Sequence, residues 1–187
     1  MGRNLPGGVT MFDSSGELDE EAASAHLDRL ISEGAHGIVV GGTSGEFISL
    51  TDAERRRLID VAVRAVAGRV PLIVGTSCFS TAETLRLTDY AAVAGVEGAI
   101  IILPYYQRPS EAEVLTHFRT IGRQARLPIM VYNNPANSAA PSLGTQALRS
   151  LYEAGWASGV KSTFQLSIRC MSCEQSSTTV SVFSTAA

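Results

Sequence analysis

Residues 37–42 read Gly-Ile-Val-Val-Gly-Gly, an unbroken apolar and β-branched run with glycine at both ends. A strand with one wet face alternates apolar and polar residues, whereas a run without alternation suits a strand covered on both faces of a parallel sheet. Runs of the same kind recur at 70–76 (VPLIVGT), 98–104 (GAIIILP), 127–133 (LPIMVYN) and 157–163 (ASGVKST), and residues 7–12 (GGVTMF) are expected to form a first strand. Their starts fall roughly 30 residues apart, the length of one strand, one crossover helix and two loops.

The stretches between these runs read as helices. Three of them open with the same capping signal, Thr51 with Glu54, Ser80 with Glu83 and Ser110 with Glu113. In each, the hydroxyl can accept from the third helical N–H while the carboxylate reaches back to the cap's own N–H. Between residues 17 and 34, Ala23, Leu27, Leu30 and Ile31 fall on one stripe, with Asp19, Glu20, Asp28 and Arg29 largely elsewhere, which predicts a helix lying on a sheet.

Strand and helix in strict alternation leave two architectures, an open doubly wound sheet or a closed (β/α)8 TIM barrel. No G-x-G-x-x-G follows the first strand, and Gly41-Gly42 is followed by Thr-Ser-Gly-Glu, so a dinucleotide fold loses weight and the α/β barrel is the expected class. A barrel takes about 250 residues in eight units, whereas these 187 residues offer six. Residues 1–164 are therefore expected to be the six N-terminal units of a TIM-barrel domain. Residues 165–187 turn Ser/Thr-rich, lose periodicity and hold two of the three cysteines. That tail is expected to be disordered or the product of a shifted reading frame, since one codon choice read in a shifted frame yields an amphipathic stretch and a strand. A competing expectation of another class is that the chain as written is an open, non-catalytic fragment, because unpaired strand edges and an uncovered barrel interior cost stability.

Composition narrows the function. With 45% hydrophobic and 18% charged residues, a net charge of −3 and seventeen glycines, the chain has the make-up of a globular α/β domain. The acidic balance gives no footprint for a nucleic-acid backbone. No run of eighteen apolar residues and no basic-then-apolar leader is present, so a membrane span and secretion are not expected and a cytoplasmic setting is. Cys170 and Cys173 form a single C-x-x-C without nearby histidines, a weak metal or redox signal.

Barrel chemistry sits at the carboxyl ends of strands, and there the polar residues gather. Lys161 lies in an apolar strand, where an ammonium is costly to bury unless paired or deprotonated. It is either an exposed strand-end lysine or a desolvated amine able to attack a carbonyl and form a Schiff base. Tyr132, one strand away, is either a packed aromatic or an acid-base group relaying protons to a carbinolamine. The turn Thr43-Ser44-Gly45 is either a plain loop or, through its hydroxyls and loop N–H groups, a cradle for a substrate carboxylate.

Taken together, G-T-S-G-E at 42–46, P-Y-Y-Q-R-P at 104–109, Y-N-N-P at 132–135 and G-V-K-S-T at 159–163 resemble the dihydrodipicolinate synthase and N-acetylneuraminate lyase family of pyruvate-type class I aldolases. The likeness runs from about residue 7 to residue 164, in order and at the right separations. It implies a (β/α)8 barrel in which Lys161 forms an imine with a 2-oxo acid and Tyr132 relays protons. Thr43 and Ser44, with Gly45, would hold the carboxylate; Thr43 would also join the hydroxyl relay, which Tyr106 completes from a neighbouring subunit. The resemblance further implies a homo-oligomer, dimer or tetramer, acting on a small-molecule 2-oxo acid and an aldehyde, with no metal and no organic cofactor.

One position departs from the synthases, where the motif reads Y-N-x-P-x-R and the arginine binds the carboxylate of the aldehyde substrate. Here that place is Asn137. An amide cannot replace a bidentate guanidinium, so the expected substrate is a 2-oxo sugar acid whose hydroxyls an amide can bind. Aldol cleavage or condensation leads; dehydration of a deoxy sugar acid and true dihydrodipicolinate synthesis are alternatives using the same imine.

Overall fold

A computed structural model of the chain describes residues 5–162 and the strand Val182–Ser184. In chain order the elements are α1 (Glu20–Ser32), β1 (Ile38–Val40), α2 (Asp52–Val66), β2 (Leu72–Gly75), α3 (Thr81–Ala94), β3 (Gly98–Ile102), α4 (Glu111–Gln124), β4 (Ile129–Asn133), α5 (Thr145–Glu153), β5 (Gly159–Ser162) and β6 (Val182–Ser184). Each of the five later apolar runs contains a strand, and every described pairing between named strands is parallel. No helix among the described residues is long and apolar enough to cross a membrane. The chain divides into two compact units, Met1–Thr76 with Arg86–Ile100, and Ser77–Leu85 with Ile101–Ala187.

In the first unit β1, β2 and the start of β3 form a parallel ladder with Ile38 opposite Leu72 and Val74 opposite Ala99. Ile38, Val40, Leu72, Val74 and Ala99, which share one face of this ladder, are all buried, while Val39 and Ile73 on the other face are half-buried. Helices α1 and α2 pack against each other. Asp19 caps α1 by accepting from the Ala22 N–H at 2.9 Å, and Ala23 and Leu27 are its buried residues while Leu30 and Ile31 are half-buried. Thr51 and Glu54 close the expected capping box on α2, with bonds of 3.2 and 2.7 Å.

The expected strand at 7–12 is not a strand. Gly7 bridges Val39 in parallel, the Gly8 N–H donates to the Val39 carbonyl at 2.7 Å and the Val39 N–H donates to Pro6 at 3.1 Å. The segment therefore runs beside β1, but the ladder stops there. Gly41, with φ +64°, turns the chain out of the strand direction, and Thr10 spends its hydroxyl on the Gly45 carbonyl instead.

Gly41 and Gly75 touch backbone to backbone. A Cβ on Gly75 would overlap the Gly41 carbonyl, so only glycine fits. Arg55 of α2, itself buried, donates to the Gly75 carbonyl at 3.0 Å and so satisfies the end of β2 with a charge-assisted bond.

In the second unit α4 begins with the capping box of Ser110 and Glu113, and buries Val114, Phe118 and Ile121. At the third expected box Ser80 Oγ accepts from the Glu83 N–H at 3.1 Å and donates to its carboxylate at 3.0 Å. Trp156, between α5 and β5, sits against α4, where a Cβ on Gly122 would come within 2.5 Å of its Cα. The guanidinium groups of Arg119 and Arg123 lie 5.1 and 5.2 Å from its ring centroid. Strand β5 pairs with β4 on one side and with β6 on the other, Val160 opposite Val182 and Ser162 opposite Ser184. Apart from that short strand, the tail on which disorder or a frame shift is expected lies outside the described residues, as do Cys170 and Cys173.

Two stability predictions follow from these contacts. Gly75→Ala is expected to cost about 3 kcal/mol or more, since backbone rather than a side chain must give way; an unchanged urea midpoint would refute the close approach. His117 of α4 meets the Thr81 hydroxyl through Nδ1 at 2.8 Å, and burial pushes its imidazole down to about 4. The folded state thus holds it neutral where the unfolded chain takes up a proton near pH 6.5. This contribution is complete above that pH and is lost as pH falls from about 6.5 toward 4. His117→Gln should remove about 2 kcal/mol of the acid sensitivity at about pH 4.5, read as the difference between wild-type and variant urea midpoints at that pH and at about pH 7.

Candidate active site

The β4–β5 ladder places Tyr132 opposite Lys161. Residues paired in register stand on the same face of a sheet, so the two side chains meet: the Lys161 Nζ lies 4.5 Å from the centroid of the Tyr132 ring. Lys161 is half-buried, Tyr132 is buried, and Val160 and Ser162 on either side are buried as well. Burial draws the Lys161 ammonium below the usual lysine range, because the charged form loses solvation. Among the described residues no carboxylate pairs with it. The face of Tyr132 is the partner it has, and a ring face attracts a cation without supplying a counter-charge. An amine so placed gives up its proton more readily than a surface lysine and is a carbonyl nucleophile.

Tyr132 is held at both ends. Its carbonyl accepts the Leu103 N–H at 3.3 Å and the Asn134 N–H at 3.1 Å, and its hydroxyl accepts from Asn134 Nδ2 at 2.9 Å. Asn133, 1% exposed, faces the other way. Its Nδ2 donates to the Leu143 carbonyl at 2.9 Å and its Oδ1 accepts the Leu143 N–H at 3.1 Å. A single side-chain amide thereby imitates a strand neighbour and fixes the far end of the loop after β4.

Lys161, Tyr132, Tyr106 and Asn137 belong to the second unit, and Thr43, Ser44 and Gly45 to the first. Tyr106 does not join Tyr132 by any described contact. It is 75% exposed and packs edge-on to Phe79 at 5.9 Å. Asn137 is exposed at the end of the short 3-10 turn Pro135–Asn137. Thr43–Gly45 is also a 3-10 turn, with Thr43 and Ser44 exposed and Gly45 buried. Of the N–H groups of Thr43–Gly45 expected to line a carboxylate cradle, that of Gly45 is used inside the turn, donating to Gly42 at 3.0 Å, and the next N–H, of Glu46, donates to Thr43 at 3.1 Å.

Three residues of these loops escape a search for chemistry by type. Thr10 anchors the Gly45 carbonyl at 2.6 Å, and its signal was a lone hydroxyl within the apolar run 7–12. Asn133 and Asn134 left a signal too, since asparagine is disfavoured in strands and two in succession at a strand end need a local use.

Helices alternating with parallel strands, and a lysine beside a tyrosine near the ends of adjacent strands, define a β/α-barrel protein that brings an amine and a phenol together on one face of its sheet. The model of the Dihydrodipicolinate synthetase family matches residues 2–184, reaching past residue 164 where the motif likeness was expected to end, and the chain belongs to that family. A 4-hydroxy-tetrahydrodipicolinate synthase of Phenylobacterium zucineum is 40% identical over 135 residues, which are 72% of this chain and 46% of the relative. One of Salinibacter ruber is 38% identical over 156 residues, 83% of this chain and 52% of the relative. Among solved structures, YagE, a prophage protein of the dihydrodipicolinic acid synthase family from E. coli K12 in complex with pyruvate, superposes with a TM-score of 0.82 at 33% identity, covering 86% of this chain and 54% of that one. The chloride-inhibited dihydrodipicolinate synthase from Acinetobacter baumannii, complexed with pyruvate, gives a TM-score of 0.83 at 28% identity, covering 87% and 55%. The fold is thus the TIM barrel of this family, and the chain spans about half the length of the relatives it matches.

Replacing Asn133 by leucine keeps its bulk but leaves the N–H and carbonyl of the fully buried Leu143 unpaired. About 2–4 kcal/mol of stability should be lost, and equal urea midpoints for the two proteins would show that the loop is held by other means.

Proposed function

We propose that this chain carries the imine-forming lysine and the proton-relaying tyrosine of a class I aldolase, a lyase that joins or cleaves a 2-oxo acid and an aldehyde. The observation that carries the reading is the half-buried Lys161 amine 4.5 Å from the Tyr132 ring, within a family whose solved members include pyruvate complexes.

In this reading the Lys161 nitrogen attacks C2 of the 2-oxo acid, the carbonyl pair moves to oxygen, and that oxygen takes the Tyr132 phenol proton. The nitrogen returns a proton to the phenolate, giving a neutral carbinolamine. With one further proton the hydroxyl leaves as water, and the nitrogen lone pair forms the C=N bond of the iminium. Loss of a proton from C3 gives an enamine; its C3 bonds to the aldehyde carbon while the aldehyde oxygen is protonated, and water then releases the product from Lys161. Cleavage is the same sequence reversed. Thr43, Ser44 and Gly45 as holders of the carboxylate, Thr43 in the hydroxyl relay and Tyr106 as its last hydroxyl rest on the family resemblance. The exposure of Tyr106 supports its being lent to a second copy in a homo-oligomer.

Borohydride with pyruvate should reduce the iminium to a stable secondary amine at Lys161, located by peptide mass; an adduct elsewhere, or one surviving Lys161→Ala, defeats the mechanism. Trapping should quicken as pH rises, with its inflection below the roughly 10.4 of a free lysine, because burial lowers the Lys161 proton affinity.

For the aldehyde, Asn137 supports a neutral, hydroxylated partner, since an amide offers no fixed cation to a second carboxylate. The names of the relatives favour the other reading, 4-hydroxy-tetrahydrodipicolinate synthesis. Turnover of aspartate semialdehyde at least tenfold below that of neutral hydroxyaldehydes supports the sugar-acid reading, and the reverse ranking establishes the synthase.

A further inference from the structure

Asn134 is 1% exposed, yet it lies directly after a strand whose neighbouring asparagine already secures the loop. It folds back on Tyr132 twice, through its N–H to the Tyr132 carbonyl at 3.1 Å and through Nδ2 to the Tyr132 hydroxyl at 2.9 Å. The backbone bond would form with many residues at 134. The side-chain bond needs a donor of this length.

The direction of that second bond matters. A phenol oxygen can accept and donate at once. When Nδ2 donates to it, the oxygen is fixed in place while its own proton stays available to another acceptor. A carboxylate at the same position would accept the phenol proton and hold it. Asparagine therefore gives an oriented hydroxyl whose proton is free, and this is what a proton relay beside Lys161 requires.

We propose that Asn134 is a positioning residue for imine formation: by donating to the Tyr132 hydroxyl it fixes the oxygen and leaves the phenol proton free for transfer during attack by Lys161. This rests on the reading of Lys161 and Tyr132 given above. Its tests are the shape-matched Asn134→Leu, which removes the donor, and the isosteric Asn134→Asp, which turns donor into acceptor.

The chain has five tyrosines, and uniform 3-fluorotyrosine labelling gives each a fluorine resonance, that of Tyr132 assigned by Tyr132→Phe. In the ligand-free protein Asn134→Leu should displace the Tyr132 resonance and leave the other four in place; an unmoved resonance overturns the contact. Borohydride trapping with pyruvate should slow roughly tenfold in Asn134→Leu, the effect of losing one hydrogen bond to the reacting hydroxyl, and further in Asn134→Asp. In the Tyr132→Phe background the leucine substitution should have no additional effect, because the amide then has no hydroxyl to act on. Persistence of the tenfold loss in that background, or equal trapping rates with and without the amide, shows a merely structural role and overturns the proposal. Absence of any wild-type adduct at Lys161 is a different outcome: it overturns the imine chemistry itself and the positioning role with it, while the fluorine result still reports the contact. Asn134→Ser, short of reach for the hydroxyl, repeats the trapping comparison should the leucine variant not fold, with the same tenfold loss expected and an unchanged rate overturning the role.

Discussion

The register between β4 and β5 is the constraint on which the meeting of Lys161 and Tyr132 in the second unit depends. Successive side chains of a strand point to opposite faces, so a slip of one residue turns a whole strand over. Moving β5 by one step would bring Val160 or Ser162 to the position beside Tyr132 and carry Lys161 to the far face. The register is set where β5 begins. Trp156 and Ala157 both donate to the Leu151 carbonyl, at 2.9 and 3.2 Å, and the Ser158 N–H donates to Ile129 at 2.7 Å. Trp156 can lie close on α4 because residue 122 has no Cβ. A glycine in the middle of a helix, a destabilising choice by itself, thereby fixes where a lysine two strands of sequence later comes to rest.

The first unit reaches its own order by backbone contact rather than by side-chain bulk. Gly41 leaves the strand direction with φ +64° and rests on Gly75, and Arg55 closes the carbonyl that Gly75 would otherwise bury. Thr10 then ties the Gly45 carbonyl from the opposite side. The loop after β1 is consequently a shaped turn, its central N–H groups partly engaged in its own 3-10 hydrogen bonds.

Much of this was legible in the order of residues, and the reasons differ. The parallel strands were readable because burial on both faces forces unbroken apolar runs, as in Ala99 to Ile102. Two capping boxes were readable because Thr51 with Glu54 and Ser110 with Glu113 is a contact between residues three apart. The segment at 7–12 was misread because composition cannot show that Gly41 would leave the ladder after two hydrogen bonds. Lys161 and Tyr132 stood out as polar groups in apolar runs, and their meeting followed from adjacent strands. The uses of Asn133 and Asn134 did not, since two identical neighbours on a strand end point to opposite sides and only the fold says what each side holds.

Asn133 grips both the N–H and the carbonyl of Leu143, so the chain from Pro135 to Ser142 is a ring fastened at its neck. Within it Ala140 alone is buried, its N–H donating to the Pro104 carbonyl at 3.1 Å. The bonds of the remaining positions stay at the neck, the Asn137 N–H donating to the Asn134 carbonyl at 3.2 Å and the Ser142 hydroxyl to Asn133 Oδ1 at 3.4 Å, while the side chain of Asn137 is exposed. Such a ring is an interchangeable part: the exposed side chains within it can change from one barrel to another while the neck that Asn133 closes keeps its place in the fold.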